Sequence, residues 1–190
     1  MRYPADQKAK ARDAILQDGA ETLRVKGFNG VGVDALAAAA GVTSGAFYSN
    51  FANKEALLEG VIDKYLGMPF VEAAGTVAER RAQLKAWLNE YVSLYHRENP
   101  ALGCVMPTLS ADVARAGPAV REAYQRRMVE LVGKIAAVLG GAEADREQRA
   151  WNIVATIIGA IEVSRAMVDS DQARQPIEHA LNAALALVDP

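Results

Sequence analysis

Apolar residues recur every three or four positions along most of the chain, and no alternation of apolar and polar residues typical of strands persists. Ile15, Gly19 and Leu23 follow this spacing in the first segment, and Gly27 supplies a stop. The pattern predicts a first helix over residues 6–26. The predicted fold class is therefore all-α.

Two short helices separated by a sharp turn are predicted next. Residues 33–40 are mostly alanine and other apolar types, and Gly41 ends this helix because glycine tolerates a left-handed backbone. Thr43 is a favourable N-cap for a second short helix over residues 44–51. A fourth helix is predicted over residues 54–66.

The second half of the chain predicts a bundle of longer helices. Thr76 and Glu79 have the spacing of a capping box, and the helix they open is expected to reach residue 97. The remaining predicted helices cover residues 108–115, 118–139, 145–168 and 174–188, which gives about nine helices.

The segment Gly67-Met68-Pro69 predicts a boundary, because glycine and proline interrupt a helical pattern. We expect a three-helix head over residues 1–52 and a linking helix over residues 53–67. Residues 68–190 would form a helical body.

Composition limits the classes of protein that fit this pattern. The chain has 190 residues, is 51% hydrophobic and carries a net charge of −2, so a disordered chain or a generally basic nucleic-acid coat protein is unfavourable. The first 60 residues hold seven Lys or Arg and seven Asp or Glu. Any binding of nucleic acid must therefore depend on where individual charges are placed.

A cytoplasmic protein is expected from three further features. Cys104 is the single cysteine, which excludes an internal disulfide and suits a reducing compartment. No signal-peptide pattern and no run of about 18 apolar residues occurs.

His96 and His179 lack metal-ligand spacing with the cysteine. We expect no metal site, no cofactor and no catalytic residues.

Residues 33–51 have the properties that a helix-turn-helix requires. In this motif one helix braces the DNA backbone and the second enters the major groove. Leu36, Val42 and Phe47 would pin the two helices to the head, whereas small residues such as Ala37 would let them approach closely. The side chains left on the outer face of the second helix are polar and suited to phosphates and base edges: Ser44, Tyr48, Ser49 and Asn50.

The same segment resembles the TetR/AcrR family of repressors. Residues 40–43 read Ala-Gly-Val-Thr, residues 45–48 read Gly-Ala-Phe-Tyr, Phe51 follows, and residues 54–57 read Lys-Glu-Ala-Leu. The specific match covers about the first 60 residues, and the remainder matches in the number and lengths of helices.

The resemblance implies a transcriptional regulator, expected to be a repressor that a small molecule releases from its operator. The head would bind double-stranded DNA, and the body would bind the ligand and form a homodimer. Tyr48, Lys54 and Thr43 would contact phosphates. The full predicted DNA-binding set is Lys10, Thr43, Ser44, Gly45, Tyr48, Ser49, Asn50 and Lys54.

Two departures from the family pattern concern the head. Gly32 stands where the family commonly has a threonine, and Ser44 stands where it often has a lysine. The second short helix therefore contains no Arg or Lys, which excludes bidentate arginine–guanine contacts from that helix.

The body is predicted to form the dimer interface through its last two helices, although these helices could instead close only the core of one subunit. Aromatic and methionine side chains are candidates for a pocket that takes an apolar or aromatic molecule, with plain core packing as the alternative. The predicted interface residues are Trp151, Ile158, Ile161, Ile177, Leu181 and Leu185. The predicted ligand-binding residues are Trp87, Tyr91, Cys104, Met106, Tyr124, Met128, Trp151 and Glu162.

Cys104 leaves alternative interpretations open. A thiol near a cationic group becomes more reactive, so the protein could be a regulator that senses electrophiles or oxidants. A lone cysteine can equally be a small buried hydrophobe. An enzyme that uses Cys104 as nucleophile and His96 as base is a further reading, as is a helical interaction module that never touches DNA.

Overall fold

The computed structural model describes residues 5–67, 70 and 74–189, and in this part of the chain all regular structure is helical. The predicted all-α class is confirmed. Met68 and Pro69 of the predicted boundary segment lie outside the described residues. The helices are α1 (Ala5–Lys26), α2 (Val33–Ala39), α3 (Ser44–Asn50), α4 (Lys54–Tyr65), α5 (Val77–Tyr91), α6 (Leu94–Glu98), α7 (Met106–Val113), α8 (Pro118–Ala136), α9 (Glu143–Ala166) and α10 (Ser170–Val188), with a 3-10 turn at Pro100–Leu102.

The chain groups into two compact units. One comprises Met1–Leu66 with Pro100–Gln125, and the other comprises Gly67–Asn99 with Arg126–Pro190. This grouping places α7 and the start of α8 in the same unit as the first four helices. The functional division into head, linking helix and body stays a prediction.

Helix α1 is the centre of the first unit. It contacts α2, α3, α4, the 3-10 turn and α7. Ile15, Ala20 and Leu23 on its inner face are completely buried. Burying side chains of this size stabilises a fold by about 1.5–3 kcal/mol for each large residue, so α1 provides the apolar surface on which the shorter helices form.

Helices α9 and α10 pack along each other in the second unit, with α5 against α10 and α6 against α9. Arg149 is buried and joins separate parts of this unit. Its guanidinium donates to the carbonyl of Gly140, to the Leu187 carbonyl at 2.8 Å and to the Asp145 carboxylate at 3.0 Å. A buried guanidinium needs such partners because burying a charge without them is costly.

The prediction of one helix from residue 76 to residue 97 is wrong. Helix α5 ends at Tyr91, and α6 begins after Ser93. The Ser93 hydroxyl accepts a hydrogen bond from the His96 amide at 3.1 Å, which starts a new helix by N-capping. The final helix also begins earlier than residue 174, because Asp169 caps it by accepting from the Asp171 and Gln172 amides at 2.9 Å.

No helix in the described part of the chain is both long and apolar enough to cross a membrane. The described residues also contain no group of three or more His, Cys, Asp or Glu placed to hold a metal ion.

The capping box at the start of α5 gives a pH-dependent prediction. Thr76 Oγ1 accepts from the Glu79 amide at 3.3 Å, and the Glu79 carboxylate accepts from the Thr76 amide at 2.8 Å. The backbone hydrogen bond from Thr76, followed by that from its hydroxyl, lowers the pKa of Glu79. A lowered folded-state pKa means that this stabilisation is complete above the unfolded pKa of about 4.3 and is lost as the pH falls through the folded-state value.

Glu79→Gln should therefore lower Tm at neutral pH, and the difference from the wild type should shrink toward about pH 3. Thermal unfolding followed by circular dichroism across this range would measure it. A difference that stays constant with pH would contradict the capping role of the charged carboxylate.

Candidate DNA-binding site

The turn between α2 and α3 is closed by Gly41. Its φ is +65°, a left-handed conformation that a side chain would strain. The Gly41 amide donates to the Ala38 carbonyl at 3.1 Å, and the Val42 amide donates to the Ala37 carbonyl at 3.0 Å. These two bonds form a Schellman motif, which satisfies the last carbonyls of α2 and directs the chain into α3.

Helix α3 is held to the first unit by aromatic burial. Phe47 is completely buried, and its ring centroid lies 5.8 Å from that of Phe51, which is 3% exposed. Leu36 and Ala37 of α2 are also buried. The predicted pinning by Leu36 and Phe47 is confirmed, and the opposite side of α3 is left free to face outward.

The outer face of α3 carries polar groups and one exposed aromatic ring. Tyr48 is 56% exposed. Thr43, Gly45 and Ser49 are exposed as well. Ser44 and Asn50 are half-buried, so their placement differs from the fully outward position expected from the helical pattern.

Most of these polar side chains also bond to the chain itself. Thr43 Oγ1 accepts from the Ala46 amide at 3.2 Å, as its predicted N-cap role requires. The Ser49 hydroxyl and the Asn50 side-chain amide both donate to the Ala46 carbonyl at 2.8 Å. The Ser49 hydroxyl oxygen also accepts from the Asn50 side-chain amide at 3.4 Å, which leaves one acceptor lone pair for a donor on a base.

Ser44 has a partner that the sequence pattern did not indicate. Its hydroxyl donates to the Asp34 carboxylate of α2 at 2.6 Å. This bond joins the two helices of the motif directly, and it places a negative charge beside the start of α3. A contact between Ser44 and a base edge must therefore use the oxygen lone pairs of Ser44, because its proton is already engaged.

Lys54, the first residue of α4, is bound to the turn after α1. Its ammonium group donates to the Phe28 carbonyl at 2.8 Å and to the Val31 carbonyl at 3.0 Å. The nitrogen also lies 4.2 Å from the centre of the Phe28 ring. An ammonium group has three N–H bonds, so these two carbonyls leave a third for another acceptor.

The basic residues of α1 divide into two kinds. Lys10 is exposed, as its predicted role at a phosphate requires. Arg12 instead donates to the Asn50 carbonyl at 2.8 Å and lies 4.3 Å from the centre of the Phe51 ring. Sequence reasoning missed this tie between α1 and the end of α3, because no local pattern relates two residues 38 positions apart.

The predicted ligand-binding residues are split between the two units. Cys104 and Met106 of the first unit are buried. Tyr124 and Ser110 line an open cavity of about 460 Å³ in the same unit, and their hydroxyl oxygens lie 2.7 Å apart. In the second unit Trp87, Tyr91 and Met128 are buried, whereas Trp151 and Glu162 are exposed. The hypothesis that these residues bind a ligand stays a prediction.

The predicted dimer residues also differ in exposure. Trp151 is 40% exposed, and Ile158, Leu181 and Leu185 are half-buried, so these four offer surface to a partner. Ile161 is completely buried and Ile177 is 4% exposed. These two isoleucines contribute to the core of their own unit, as the alternative interpretation of the helices expects.

Cys104 lies within the electrostatic range of Arg24 in the first unit. Arg24 is 7% exposed and donates from Nε to the Ala101 carbonyl at 2.8 Å. Burial lowers the pKa of Arg24, and the nearby Glu21 carboxylate, followed by the Cys104 thiol group, opposes that shift. In the second unit, His96 Nδ1 lies 2.7 Å from the Tyr91 carbonyl oxygen.

Residues 15–61 match the family model described as bacterial regulatory proteins, tetR family. No curated protein sequence matches the chain.

Solved structures resemble the fold over nearly its whole length. The reduced form of NemR from E. coli has a TM-score of 0.72 at 20% identity, covering 92% of this chain and 94% of its own. A TetR-family regulator from Cytophaga hutchinsonii has a TM-score of 0.71 at 20% identity, covering 97% and 98%. FadR from Bacillus subtilis, in complex with stearoyl-CoA, has a TM-score of 0.66 at 17% identity, covering 93% and 97%.

The buried Phe47, the Schellman turn and the polar outer face of α3 define a helix-turn-helix protein. Residues 15–61 therefore form a helix-turn-helix segment that matches the TetR family, and the chain as a whole shares the fold of solved TetR-family regulators. The predicted resemblance is confirmed.

Lys54→Met should lower the free energy of unfolding by about 1–3 kcal/mol, because two backbone carbonyls lose a charged donor. The contact with the Phe28 ring would be lost as well. Urea unfolding would measure the change. Lys8→Met, the same substitution at an exposed position of α1, should change stability by less than about 0.5 kcal/mol. Equal effects of the two substitutions would show that Lys54 does not brace the head.

Proposed function

We propose that this protein is a repressor that binds operator DNA as a homodimer and releases it when a small molecule binds the body. The observation that supports it most directly is the exposed polar face of α3, held outward by the buried Phe47. The proposed role is regulatory rather than catalytic, and its location in the cytoplasm remains a prediction.

DNA binding would use hydrogen bonds more than charge. Helix α3 carries no basic residue, and the Asp34 carboxylate lies beside it. Tyr48 and Ser49 are exposed and would meet phosphates and base edges. The nearby cations are Lys10 and the third N–H of Lys54, so we expect the salt dependence of binding to be modest for each subunit.

Gly45 supports a close approach of DNA to α3. It lies in the first turn of the helix and does not have a positive φ. A Cβ placed there would meet only Thr43 Oγ1, at 3.8 Å, which is an ordinary contact. The fold therefore does not require glycine, although glycine inside a helix is about 0.5–1 kcal/mol less favourable than alanine. An external group that comes close to the backbone would explain why this position has no side chain.

Gly45→Ala should raise the free energy of unfolding by about 0.5–1 kcal/mol and weaken DNA binding. Fluorescence anisotropy with a labelled duplex from upstream of the protein's own gene would measure the affinity, beside urea unfolding for stability. Gly133→Ala is the matched control, because this exposed glycine of α8 likewise has room for a Cβ, with nothing within 4 Å of it. Gly133→Ala should stabilise the protein without changing affinity, and equal affinities of both variants would contradict the close approach.

A dimer would supply the second head that a two-part operator needs. A single helix-turn-helix reads one half-site, and such readers commonly work as symmetric dimers. Trp151, Ile158, Leu181 and Leu185 have the apolar surface for this contact on α9 and α10. This assignment rests on their exposure and on the family resemblance.

Release by a ligand is tested by measuring DNA affinity with and without candidate effectors. The same labelled duplex would be titrated in the presence of stearoyl-CoA, the ligand in the FadR complex, and of a panel of aromatic compounds. We expect at least one to weaken binding by fivefold or more, the range of ordinary allosteric coupling, roughly 1–3 kcal/mol. Unchanged affinity with every compound would leave a DNA binder without the proposed switch.

A further inference from the structure

Asp112 of α7 binds the turn that follows α1. Its Oδ2 accepts the Phe28 amide at 2.9 Å, and its Oδ1 lies 3.0 Å from Arg115 Nη2 and 3.5 Å from Asn29 Nδ2. The Asp112 side chain is only 11% exposed. A charged acceptor in so enclosed a position makes a stronger hydrogen bond than an exposed neutral one.

The turn is shaped around this carboxylate. Gly27 ends α1 with a φ of +70°, and its amide donates to the Leu23 carbonyl at 2.9 Å. A Cβ at Gly27 would lie 3.5 Å from Asp112 Oδ2, in ordinary contact with it. The left-handed glycine thus presents the next amide, that of Phe28, to the carboxylate.

Phe28 connects Asp112 to the segment that follows the recognition helix α3. Its amide donates to Asp112, while its carbonyl and its ring both receive the Lys54 ammonium group. Lys54 is the first residue of α4, and three residues separate it from the end of α3 at Asn50. The path from α7 to α3 therefore passes through contacts of Asp112 with Phe28 and of Phe28 with Lys54, and it reaches α3 through the short chain segment before Lys54.

Two more hydrogen bonds attach the neighbourhood of α7 to the same helices. Arg24, near the end of α1, donates to the Ala101 carbonyl, and Glu55 of α4 accepts the Gly117 amide at 3.3 Å. The segment from residue 101 to residue 117 is thereby fixed at the end of α1 and at the start of α4. A displacement of α7 would act on the helix that precedes the helix-turn-helix motif and on the helix that follows it.

We propose that Asp112 is a positioning residue for DNA binding, which acts through Phe28 and Lys54 to set the orientation of α3. In this role the carboxylate acts through its neighbours and not through a contact of its own with DNA. Displacing α7, or removing the carboxylate, loosens the Phe28 turn and weakens DNA binding. This inference rests on the proposed function as a DNA-binding regulator, and it assigns the residue through which that binding is controlled.

The central variant is Asp112→Ala, measured by fluorescence anisotropy with the labelled duplex from upstream of the protein's own gene. We expect about tenfold weaker binding, the consequence of one lost charged hydrogen bond. Asp112→Asn keeps an acceptor for the Phe28 amide and should retain most of the affinity. Ser164→Ala is the control for general destabilisation, because it removes a buried hydrogen bond of 2.6 Å to the Ala173 carbonyl in the other unit. It should leave DNA affinity unchanged.

Double variants separate positioning from simple loss of stability. Asp112→Ala combined with Lys54→Met should bind no more than about twofold more weakly than Lys54→Met alone, because both act on one path. Asp112→Ala combined with Tyr48→Ala should show the product of the two separate effects. If the losses of DNA affinity multiply in the Lys54→Met pair as they do in the Tyr48→Ala pair, the proposal is overturned.

Amide hydrogen exchange gives a readout that does not need DNA. Asp112→Ala should speed exchange at the amides of Phe28 and of residues 46–50 and 54–57, while Ser164→Ala should not. If the wild type binds no DNA but these amides respond to Asp112→Ala, the proposed function fails and the positioning path stands. Unchanged exchange at these amides would overturn the positioning role whatever the DNA measurement shows.

Discussion

The burial of Phe47 is the interaction on which the exposed polar face of α3, the proposed DNA-binding surface, depends. Helix α3 has seven residues, and an isolated helix of that length is not stable in water. Its conformation must come from tertiary packing, and Phe47 is its completely buried side chain. With Phe47 fixed inward, the helical repeat places Tyr48 and Ser49 on the other side. One buried ring therefore both stabilises the helix and determines which side chains it exposes.

The cations closest to α3 are used largely to build the head. Arg12 binds the last carbonyl of α3 and stacks near Phe51, and Lys54 binds two carbonyls of the turn after α1. These contacts make the motif more rigid, and they leave less of the positive charge available to bind DNA. A rigid polar surface suits recognition because less side-chain freedom is lost on binding. The absence of Arg and Lys from the sequence of α3 itself is consistent with this arrangement.

Local rules explain which parts of the fold could be predicted. Gly41 at the turn, Thr43 as a cap and the Thr76–Glu79 capping box each depend on residues a few positions apart, and all three appear in the structure. The break at Ser93 was missed because the apolar spacing continues across it. The contact between Asp112 and Phe28 joins residues 84 positions apart, so no helical periodicity could reveal it. The sequence thus predicted the α3 surface better than the contacts that hold it.

The path from Asp112 to Lys54 has a thermodynamic consequence that works in both directions. If the Asp112–Phe28 bond favours the orientation of α3 that binds DNA, then bound DNA must favour that bond to the same extent. The third N–H of Lys54 is the natural meeting point, because a phosphate bound there would hold the ammonium group against the Phe28 and Val31 carbonyls. In the proposed function, Lys54 would contribute to DNA binding and to the internal bracing through the same group. Its two roles are not alternatives, since each strengthens the geometry that the other requires.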